Sequence, residues 1–494
     1  MIAMKPVILW TDVVMWLMLL SLAWYVRHVR RDTALRATWA KVFASPAAMA
    51  SSVLLVAFLL ITLVDSLHFR RALPPTPGDT GVAYDTRTES LLDVALKPLI
   101  DSREKSYSAP LATHGFVKET IPPKAGEKPR LDAHGVPMLP PREFPRLKHG
   151  GAHLADPAAQ WGPDVLKRLA VGALLGALPA GLMAAWLLRR AQAHRQALAT
   201  LPEAAAHPNP PAWRAAAWTV LALGVLVGAG ISLSAGYHVL GTDRTGNDVL
   251  YQVLKSIRTA FVIGSLATVA TLPLALVFGI AAGYFKGWVD DVIQYVYTAL
   301  SSVPNILLIA ACVLMMQVFL DKHPELFETG LERADLKIFM LCVILGVTGW
   351  AGLCRLLRAE TLKLRELDYV QAARAFGAGP WRIMRQHILP NVMHLVLITT
   401  VLEFSSLILY EAVLSYVGVG VDPSMNSFGG LINQARGEMS RDPVVWWSFA
   451  AAFVFMVAIV LAANLLADAV RDAFDPRARV HRTYRVRSSR RQHA

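Results

Sequence analysis

Charged residues and cysteines are scarce in this 494-residue chain, and each shortage excludes a class of protein. Asp, Glu, Lys and Arg together make up 17% of the residues, whereas 54% are hydrophobic. Soluble globular proteins do not have this balance. The three cysteines, Cys312, Cys342 and Cys354, lie in or beside apolar runs and lack the spacing of metal ligands. They therefore predict buried thiols rather than a metal or disulfide site.

Signatures of catalysis are also missing. The sequence has no G-x-x-x-x-G-K-[ST] phosphate loop and neither the H-E-x-x-H nor the G-x-S-x-G pattern of hydrolases. Its fourteen histidines are scattered and lie mostly in loops. We therefore expect no catalytic residue, no metal site and no cofactor bound by this chain. A membrane-bound enzyme, which needs polar residues clustered on one helix face, is an alternative that this scatter disfavours.

Long apolar stretches are abundant instead, each near the ~20 residues with which a helix crosses a bilayer. Nine such runs lie near 7–26, 47–65, 168–188, 213–234, 259–283, 292–319, 337–354, 389–410 and 445–467. They predict an all-α integral membrane protein with about nine transmembrane helices. Arg27, Arg30 and Arg31 follow the first run where a secretory signal would have a small-residue cleavage site. We therefore interpret this run as a retained anchor.

The net charge of +13 is concentrated beside the apolar runs. Arg and Lys cluster at 27–46, 189–212, 355–388 and 471–494. The positive-inside rule makes all four segments cytoplasmic, and nine spans then alternate with the N-terminus outside and the C-terminus inside. This distribution explains the positive charge as a topology signal, so we expect contact with a lipid bilayer and not with nucleic acid.

Residues 66–166 have a different composition, rich in Pro, Gly and charges of both signs, with no sustained helical or strand periodicity. Such a stretch predicts an extended or loosely folded outer loop. Two roles remain open for it, a simple spacer or a small platform on which a substrate receptor docks.

One basic segment on the predicted inner side, residues 367–391, has the pattern of a short amphipathic helix between two apolar runs. Gly379 and Pro380 interrupt the helix, and Phe376 offers an apolar knob to a partner's groove. The segment resembles the "EAA" loop of ABC-importer permeases, which docks into the ATPase subunit. The matching residues are Gln371 (where the family has Glu), Ala372, Ala373, Phe376, Gly377, Leu389 and Pro390. The alternative is an ordinary basic loop beside the membrane.

A second segment, residues 238–248, precedes the fifth run and resembles "HPLGTDxxGRD" of the C-type permease subunits of oligopeptide and dipeptide importers. Val239 stands for the usual Pro and Asn247 for the usual Arg. Its motif residues are Gly241, Thr242, Asp243, Gly246 and Asp248. The glycines permit tight turns, and the two aspartates can cap the following helix.

Three further stretches resemble the same family in the same order, and Pro304 matches the proline of the next family span. They are 283–290 ("GYFGGWVD"), 411–420 ("EAxLSFLGLG") and 471–477 ("RDxLDPR"). The resemblance implies a six-helix type I ABC-importer permease core, preceded here by three extra spans and the long outer loop. The expected organisation is two N-terminal spans (1–65), the periplasmic loop (66–166), a third span with a cytoplasmic linker (167–212), the permease core (213–470) and a basic cytoplasmic tail (471–494).

The resemblance also implies partners and a location. It implies a heterodimer with a second permease subunit, two cytoplasmic ATPase subunits that hydrolyse ATP, and a periplasmic substrate-binding protein. The chain would lie in the bacterial inner (cytoplasmic) membrane and carry a peptide-like solute. An ion-coupled secondary transporter is the alternative function, but it should show internal repeats and several charges at mid-membrane.

Carboxylates inside apolar runs are costly and usually face protein or water. Glu403 lies in the middle of the eighth run, and Glu411 lies at its outer end. Either could belong to a translocation pathway, could pair with a polar group of a neighbouring helix, or could be carried protonated. Asp12 in the first run is expected to be a polar residue near the membrane surface.

Overall fold

A computed structural model describes residues 4–73, 83–120, 142–199, 210–327 and 329–474. The predicted basic tail beyond 474, with residues 475–477 of the last family-like stretch, lies outside the described residues. In chain order the α-helices are α1 (Trp10–Arg31), α2 (Thr33–Val42), α3 (Pro46–Asp65), α4 (Leu91–Ala95), α5 (Lys97–Asp101), α6 (Pro157–Ala199), α7 (Trp213–Ser234), α8 (Val249–Phe285), α9 (Trp288–Ser302), α10 (Asn305–Lys322), α11 (Gly330–Gly349), α12 (Ala351–Arg365), α13 (Asp368–Ala375), α14 (Pro380–Ile383), α15 (Leu389–Val417), α16 (Phe428–Glu438) and α17 (Trp447–Phe474).

The predicted helical membrane fold is confirmed. Within the described ranges, eight helices are long and apolar enough to cross a membrane, and the bent pair α11–α12 raises the number to nine. Each one coincides with a predicted run. The run predicted at 292–319 had the wrong start, because Pro304 separates α9 from the spanning helix α10. The run predicted at 337–354 is bent by 42° where α11 meets α12.

The connecting segments separate into two groups at opposite ends of the bundle, as alternating spans require. At one end, residues 104–116 pack on residues 238–247 and on the start of α17. At the other, Val42 and Ala48 pack against Val470 near the end of α17. We call the first end outer and the second inner, after the charge-based prediction; which end faces the cytoplasm stays a prediction.

The described parts of residues 66–166 are folded, which corrects the expectation of an extended or loose loop. Strand β2 (His68–Arg71) pairs with β1 (Met4–Val7) and β3 (Glu89–Ser90), and β4 (Glu119–Thr120) pairs with β5 (Arg142–Glu143). Leu92, Leu99, Tyr107, Leu147 and Leu154 are buried. These elements are two to five residues long, too short to produce a readable periodicity.

A buried ionic cluster that includes Asp12 joins α1 to α8 and α11; the position of Asp12 near the membrane surface stays a prediction. The Asp12 side chain, in the first turn of α1, is 4% exposed and lies 2.7 Å from the Arg258 guanidinium. Asp335 is 3.7 Å from the same guanidinium and accepts a hydrogen bond from the Thr11 backbone N–H at 3.1 Å. His68 Nδ1 lies 2.9 Å from the second Asp12 oxygen. A charge inside a span needs such partners, and the cluster therefore attaches the N-terminal end of α1 to α8 and α11.

Replacing Arg258 with methionine is expected to destabilise the protein by about 3 kcal/mol or more, because Asp12 and Asp335 would remain buried without their counter-charge. A drop in the thermal unfolding midpoint of the detergent-purified protein measures the loss. The matched control is Arg333→Met, which removes an arginine from an exposed ion pair with Asp321; exposed pairs contribute little. Equal effects of the two substitutions would contradict the assigned role of the cluster.

Helices α6 and α7 form a closely packed hairpin beside the bundle. Glycines permit the approach: a Cβ on Gly176 would lie 2.0 Å from the Gly224 carbonyl oxygen, and one on Gly228 would lie 2.3 Å from the Gly172 oxygen. The buried residues of α7 at its inner half, Ala216 and Ala217, pack with residues of α3 and α6. Helix α3 in turn packs on α8 and α17, so α3 lies between the hairpin and the rest of the bundle.

Candidate functional site

The inner loop between α12 and α15 is anchored by buried apolar residues. Leu357, Val370, Ile383 and Ile388 are fully enclosed in one cluster with residues of α8 and α15. Ion pairs fasten its first part further: Arg358 donates two hydrogen bonds to Asp290 of α9, at 2.5 and 2.7 Å. Lys286 Nζ lies 3.0 Å from Glu366. The loop is therefore a fixed structure whose position depends on the helices beneath it.

The outward face of this loop carries exposed apolar side chains. Phe376 is 91% exposed and Trp381 is 72% exposed, while Tyr369 and Leu367 are also exposed. The family-like residues Gln371 and Ala372 lie on the exposed surface, and Ala373 is half-buried. A fixed helical segment with large exposed apolar groups is typical of a surface that binds another protein.

The predicted helix–break–helix is present. Helix α13 ends at Ala375, where the N–H groups of Phe376, Gly377 and Ala378 bond back to the carbonyls of Ala372, Arg374 and Ala373. Gly377 has φ +80°, the left-handed conformation that glycine adopts without strain at a helix C-terminus. The chain then enters α14 at Pro380, and Gly377 thus sets the angle between α13 and α14.

The eighth span is predicted to begin near residue 389, but in the structure it is continuous with α14 and extends back to Pro380. A π-helical turn, Met384–Ile388, connects α14 directly to α15. Leu389 and Pro390 form the first turn of α15, where the wider turn accommodates a proline that lacks an N–H. The loop and the eighth span are therefore mechanically continuous from Pro380 to Val417.

The outer segment 238–248 is the surface on which residues 104–111 pack. A Cβ on Gly241 would lie 2.5 Å from the Ser108 carbonyl oxygen, and one on Gly246 would lie 1.9 Å from the Glu104 oxygen. Thr242 Oγ1 accepts from the Ser108 N–H at 2.6 Å. Both glycines also have positive φ, so two independent constraints require glycine at these positions.

The two aspartates of this segment have different functions. Asp248 caps α8 as predicted, accepting from the N–H groups of Leu250 and Tyr251. The prediction that Asp243 also caps a helix was wrong. Its carboxylate accepts from the N–H groups of Thr245 and Asn247 and closes the turn before Asp248. A capping side chain must directly precede the helix, and Asp243 lies too far upstream.

His238 is the charged centre of the outer segment, and the sequence argument assigned it no role. Its Nδ1 is 2.7 Å from Asp248, and its Nε2 is 3.5 Å from Glu104. Burial opposes the charged imidazole, but the two carboxylates outweigh burial and raise the pKa of His238 to about 9. Burial likewise opposes the Glu104 carboxylate, yet His238 and the N–H groups of His149 and Lys148 lower its pKa to about 2.

These pKa values predict how the stability of the outer region depends on pH. The raised pKa of His238 stabilises the fold fully below pH 6.5, and the contribution is lost as pH rises through about 9. The lowered pKa of Glu104 stabilises above pH 4.5, and that contribution is lost as pH falls toward about 2. On the alkaline side, the free energy of unfolding should fall by on the order of 3 kcal/mol as His238 loses its proton.

Thermal unfolding of the purified protein across the alkaline range measures this dependence. His238→Gln should remove most of the alkaline decline, while His323→Gln, which changes a half-buried histidine of the same end, should leave it intact. An unchanged decline in His238→Gln would show that another group controls it.

The two carboxylates of α15 lie in different environments. Glu411 is buried and accepts a hydrogen bond from Ser415 Oγ at 2.7 Å. Glu403 is half-buried and has no hydrogen-bond or ion-pair partner among the residues that the structure describes. Thr399, Ser406 and Tyr410 share its helix face and reach the surface of the bundle. This polar stripe is unsuited to lipid contact.

Comparisons with known proteins identify the family to which this membrane-spanning helical chain is similar. Residues 275–480 match the family described as "Binding-protein-dependent transport system inner membrane component". The oligopeptide transport system permease protein OppC of Mycobacterium tuberculosis is 32% identical over 242 residues, which are 49% of this chain and 77% of the relative. The glutathione transport system permease protein GsiD of Pectobacterium atrosepticum is 32% identical over 240 residues, 49% of this chain and 73% of the relative.

Among solved structures, a chain of the MetNI methionine ABC transporter in an inward-facing conformation is 20% identical, with a TM-score of 0.34 over 46% of this chain and 96% of that chain. At that score the likeness supports no detailed comparison. The sequence relatives are decisive, because their identity extends over about three quarters of their own length. This chain belongs to the family of binding-protein-dependent transport system inner membrane components.

Proposed function

We propose that the chain is a permease subunit of an ATP-driven importer and forms half of the translocation pathway for a peptide-like solute. Family membership supports the transport role. The relatives belong to oligopeptide, dipeptide and glutathione transport systems, which favours a peptide-like solute over an unrelated one. No catalytic role is proposed for this chain, and ATP hydrolysis is assigned to partner subunits.

The observation that carries the coupling role is the inner loop, with its fixed position and exposed apolar face. Residues 368–388 would dock into a groove of a cytoplasmic ATPase, with Phe376 as the knob. Movement of the ATPases would be transmitted through α14 and the continuous helix to α15. A change of access between the two sides of the membrane would follow from the shift of packed helices.

The polar stripe of α15 supports the pathway role. Thr399, Glu403, Ser406 and Tyr410 would face either the solute path or the second permease subunit, since a lipid-facing carboxylate is costly. Glu411 lies nearer the outer end, and its place beside Ser415 favours a supporting role at the same path. A periplasmic substrate-binding protein would deliver the solute at the outer end. The location proposed is the bacterial cytoplasmic membrane, with the N-terminus outside.

Site-specific cross-linking tests the coupling role. In a background without the three native cysteines, Phe376→Cys should cross-link to the ATPase subunit in membranes that contain the assembled importer. Glu325→Cys, an exposed position at the opposite end of the bundle, is the matched control and should not cross-link to it. A Glu325→Cys product with the ATPase would contradict the orientation. The absence of a Phe376→Cys product in an active importer would contradict the docking site.

A further inference from the structure

A polar cavity of about 680 Å³ lies at the outer end of the bundle. Its walls come from the outer region near residues 87–100, from the turn and first helical residues at 243–252, from the segment 415–427, and from α16 at 430–438. The cavity thus lies where the outer region, α8, α15 and α16 meet, at the end that would receive solute from outside.

Two buried side chains in this wall have oxygen atoms without a hydrogen-bond donor. Gln252 is 6% exposed and Glu438 is 7% exposed. Gln252 donates its amide N–H to Asp243 at 2.5 Å, and Glu438 accepts from the Tyr107 hydroxyl at 2.7 Å. The remaining oxygens, Gln252 Oε1 and Glu438 Oε2, have no hydrogen-bond partner among the residues that the structure describes. A buried acceptor without a donor is costly, so two in one cavity wall indicate a missing donor.

The charges around the cavity favour a positively charged donor. Asp243, Asp422 and Glu438 contribute carboxylates to the wall, and Arg87 and Arg244 contribute guanidinium groups. Asp248 also reaches the wall but is paired with His238. Burial raises the pKa of Glu438 and the neighbouring Asp243 charge also raises it, while the Tyr107 hydroxyl, Arg441 and Arg244 act in the opposite direction. A cation bound between these two carboxylates would relieve that repulsion.

We propose that this cavity contains a subsite for the ammonium group of the transported solute, with Glu438 and Gln252 as hydrogen-bond acceptors and Asp243 as the second negative charge. An ammonium group has three donors and no acceptor, which matches unpaired acceptors. This inference rests on the proposed import function and narrows the solute to one with a free amine, such as the amino terminus of a peptide.

Glu411 lies on the inner side of the cavity wall that holds the acceptors Gln252 and Glu438. Ser415 and Ser427 line the cavity, and Ser415 donates to Glu411 immediately behind the wall. The Ser427 hydroxyl also lies beside the Glu411 carboxyl, although Glu411 Oε2 has no donor in hydrogen-bond geometry among the described residues. A metal ion is a poorer fit than an organic cation, since no group of three or more His, Cys, Asp or Glu suited to a metal occurs among the described residues.

Ligand binding to the full chain, purified with its partner subunits in lipid nanodiscs, tests the subsite. Without ATP and without the substrate-binding protein, the readout is independent of transport. Tri-alanine should give a saturable calorimetric or thermal-shift signal, and N-acetyl-tri-alanine should bind at least about tenfold more weakly, because acetylation removes the charged donor.

Glu438→Gln should weaken tri-alanine binding by about tenfold or more while its remaining oxygen still accepts from Tyr107. Gln252→Met, which removes the second acceptor, is the companion variant if Glu438→Gln fails to fold. The matched control Glu325→Gln neutralises an exposed carboxylate at the same end and should bind normally.

Equal binding of the two peptides, absence of saturable tri-alanine binding, or an unchanged affinity in folded Glu438→Gln would each overturn the subsite. Failure of the Phe376→Cys cross-link with amine-selective binding intact would instead count against the proposed coupling role alone.

Discussion

Replacing Gly377 with tryptophan is expected to abolish ATP-driven uptake while the protein still inserts into the membrane. The isolated chain has room for the side chain, because no atom lies within 4 Å of a Cβ built at Gly377. Two effects remain. A tryptophan resists the φ of +80°, at a cost of about 1–2 kcal/mol, and its ring would project from the surface proposed to enter the ATPase. Disruption of a central contact between this loop and the ATPase corresponds to about 30-fold weaker binding of the two subunits or more.

Uptake of labelled solute, stimulation of ATP hydrolysis and recovery of the protein in the membrane should be measured together. Gly377→Asn is the matched control, since asparagine tolerates the left-handed conformation and adds a small side chain; it should retain most of the uptake. Gly377→Ala separates the two causes, because it adds backbone strain with almost no bulk. Normal transport in Gly377→Trp would contradict docking at this loop.

The inner loop was predictable from sequence because its signals are local. The break at Gly379 and Pro380, the small residues at Ala372 and Ala373, and the flanking apolar runs all lie within about one loop of each other, and each has a direct conformational meaning. The cap by Asp248 was predictable for the same reason. Local chemistry determines these features, and the surrounding fold does not override it.

The ionic cluster and the outer region were not predictable, because their determinants are distant in sequence. Asp12 and Arg258 are separated by 246 positions, and neither residue alone indicates the other. Likewise, Tyr107 is buried in one cluster with Trp447 at the start of α17 and donates its hydroxyl to Glu438. An isolated acid in an apolar run is a signal that a partner exists, and Asp12 carries this signal as Glu403 does.

Helix packing also bears on which spans form the permease core. The sequence argument expects a core of residues 213–470, with α7 as its first span. In the structure, Phe58 of α3 packs in the same cluster as residues of α8, α15, α16 and α17, whereas Ala216 and Ala217 of α7 pack with α3 and α6. The packing favours a core that contains α1 and α3, with the α6–α7 hairpin as a peripheral addition.

Two shortened chains distinguish the two possible cores, because a core of 213–470 and a core that contains α1 and α3 predict opposite results for them. The first lacks residues 155–234 and has a short Gly-Ser linker between residues 154 and 235. The linker can be short because the Gly151 N–H bonds the Gly236 carbonyl at 2.9 Å, and removing two spans preserves the alternation of the rest. The second chain begins at Pro208 and lacks α1, α3 and α6.

We expect the hairpin deletion to insert, assemble with its partner subunits and stimulate ATP hydrolysis. The chain beginning at Pro208 should lose assembly, because Arg258 would lack Asp12 and the surfaces of α8 and α17 would lack α3. Co-purification with the second permease subunit after equal membrane insertion measures the difference. Assembly of the chain that begins at Pro208, together with failure of the hairpin deletion, would instead support the 213–470 core. Both chains lack α6, so the comparison sets the contribution of α7 against that of residues 1–154, which comprise α1, α2, α3 and the outer region.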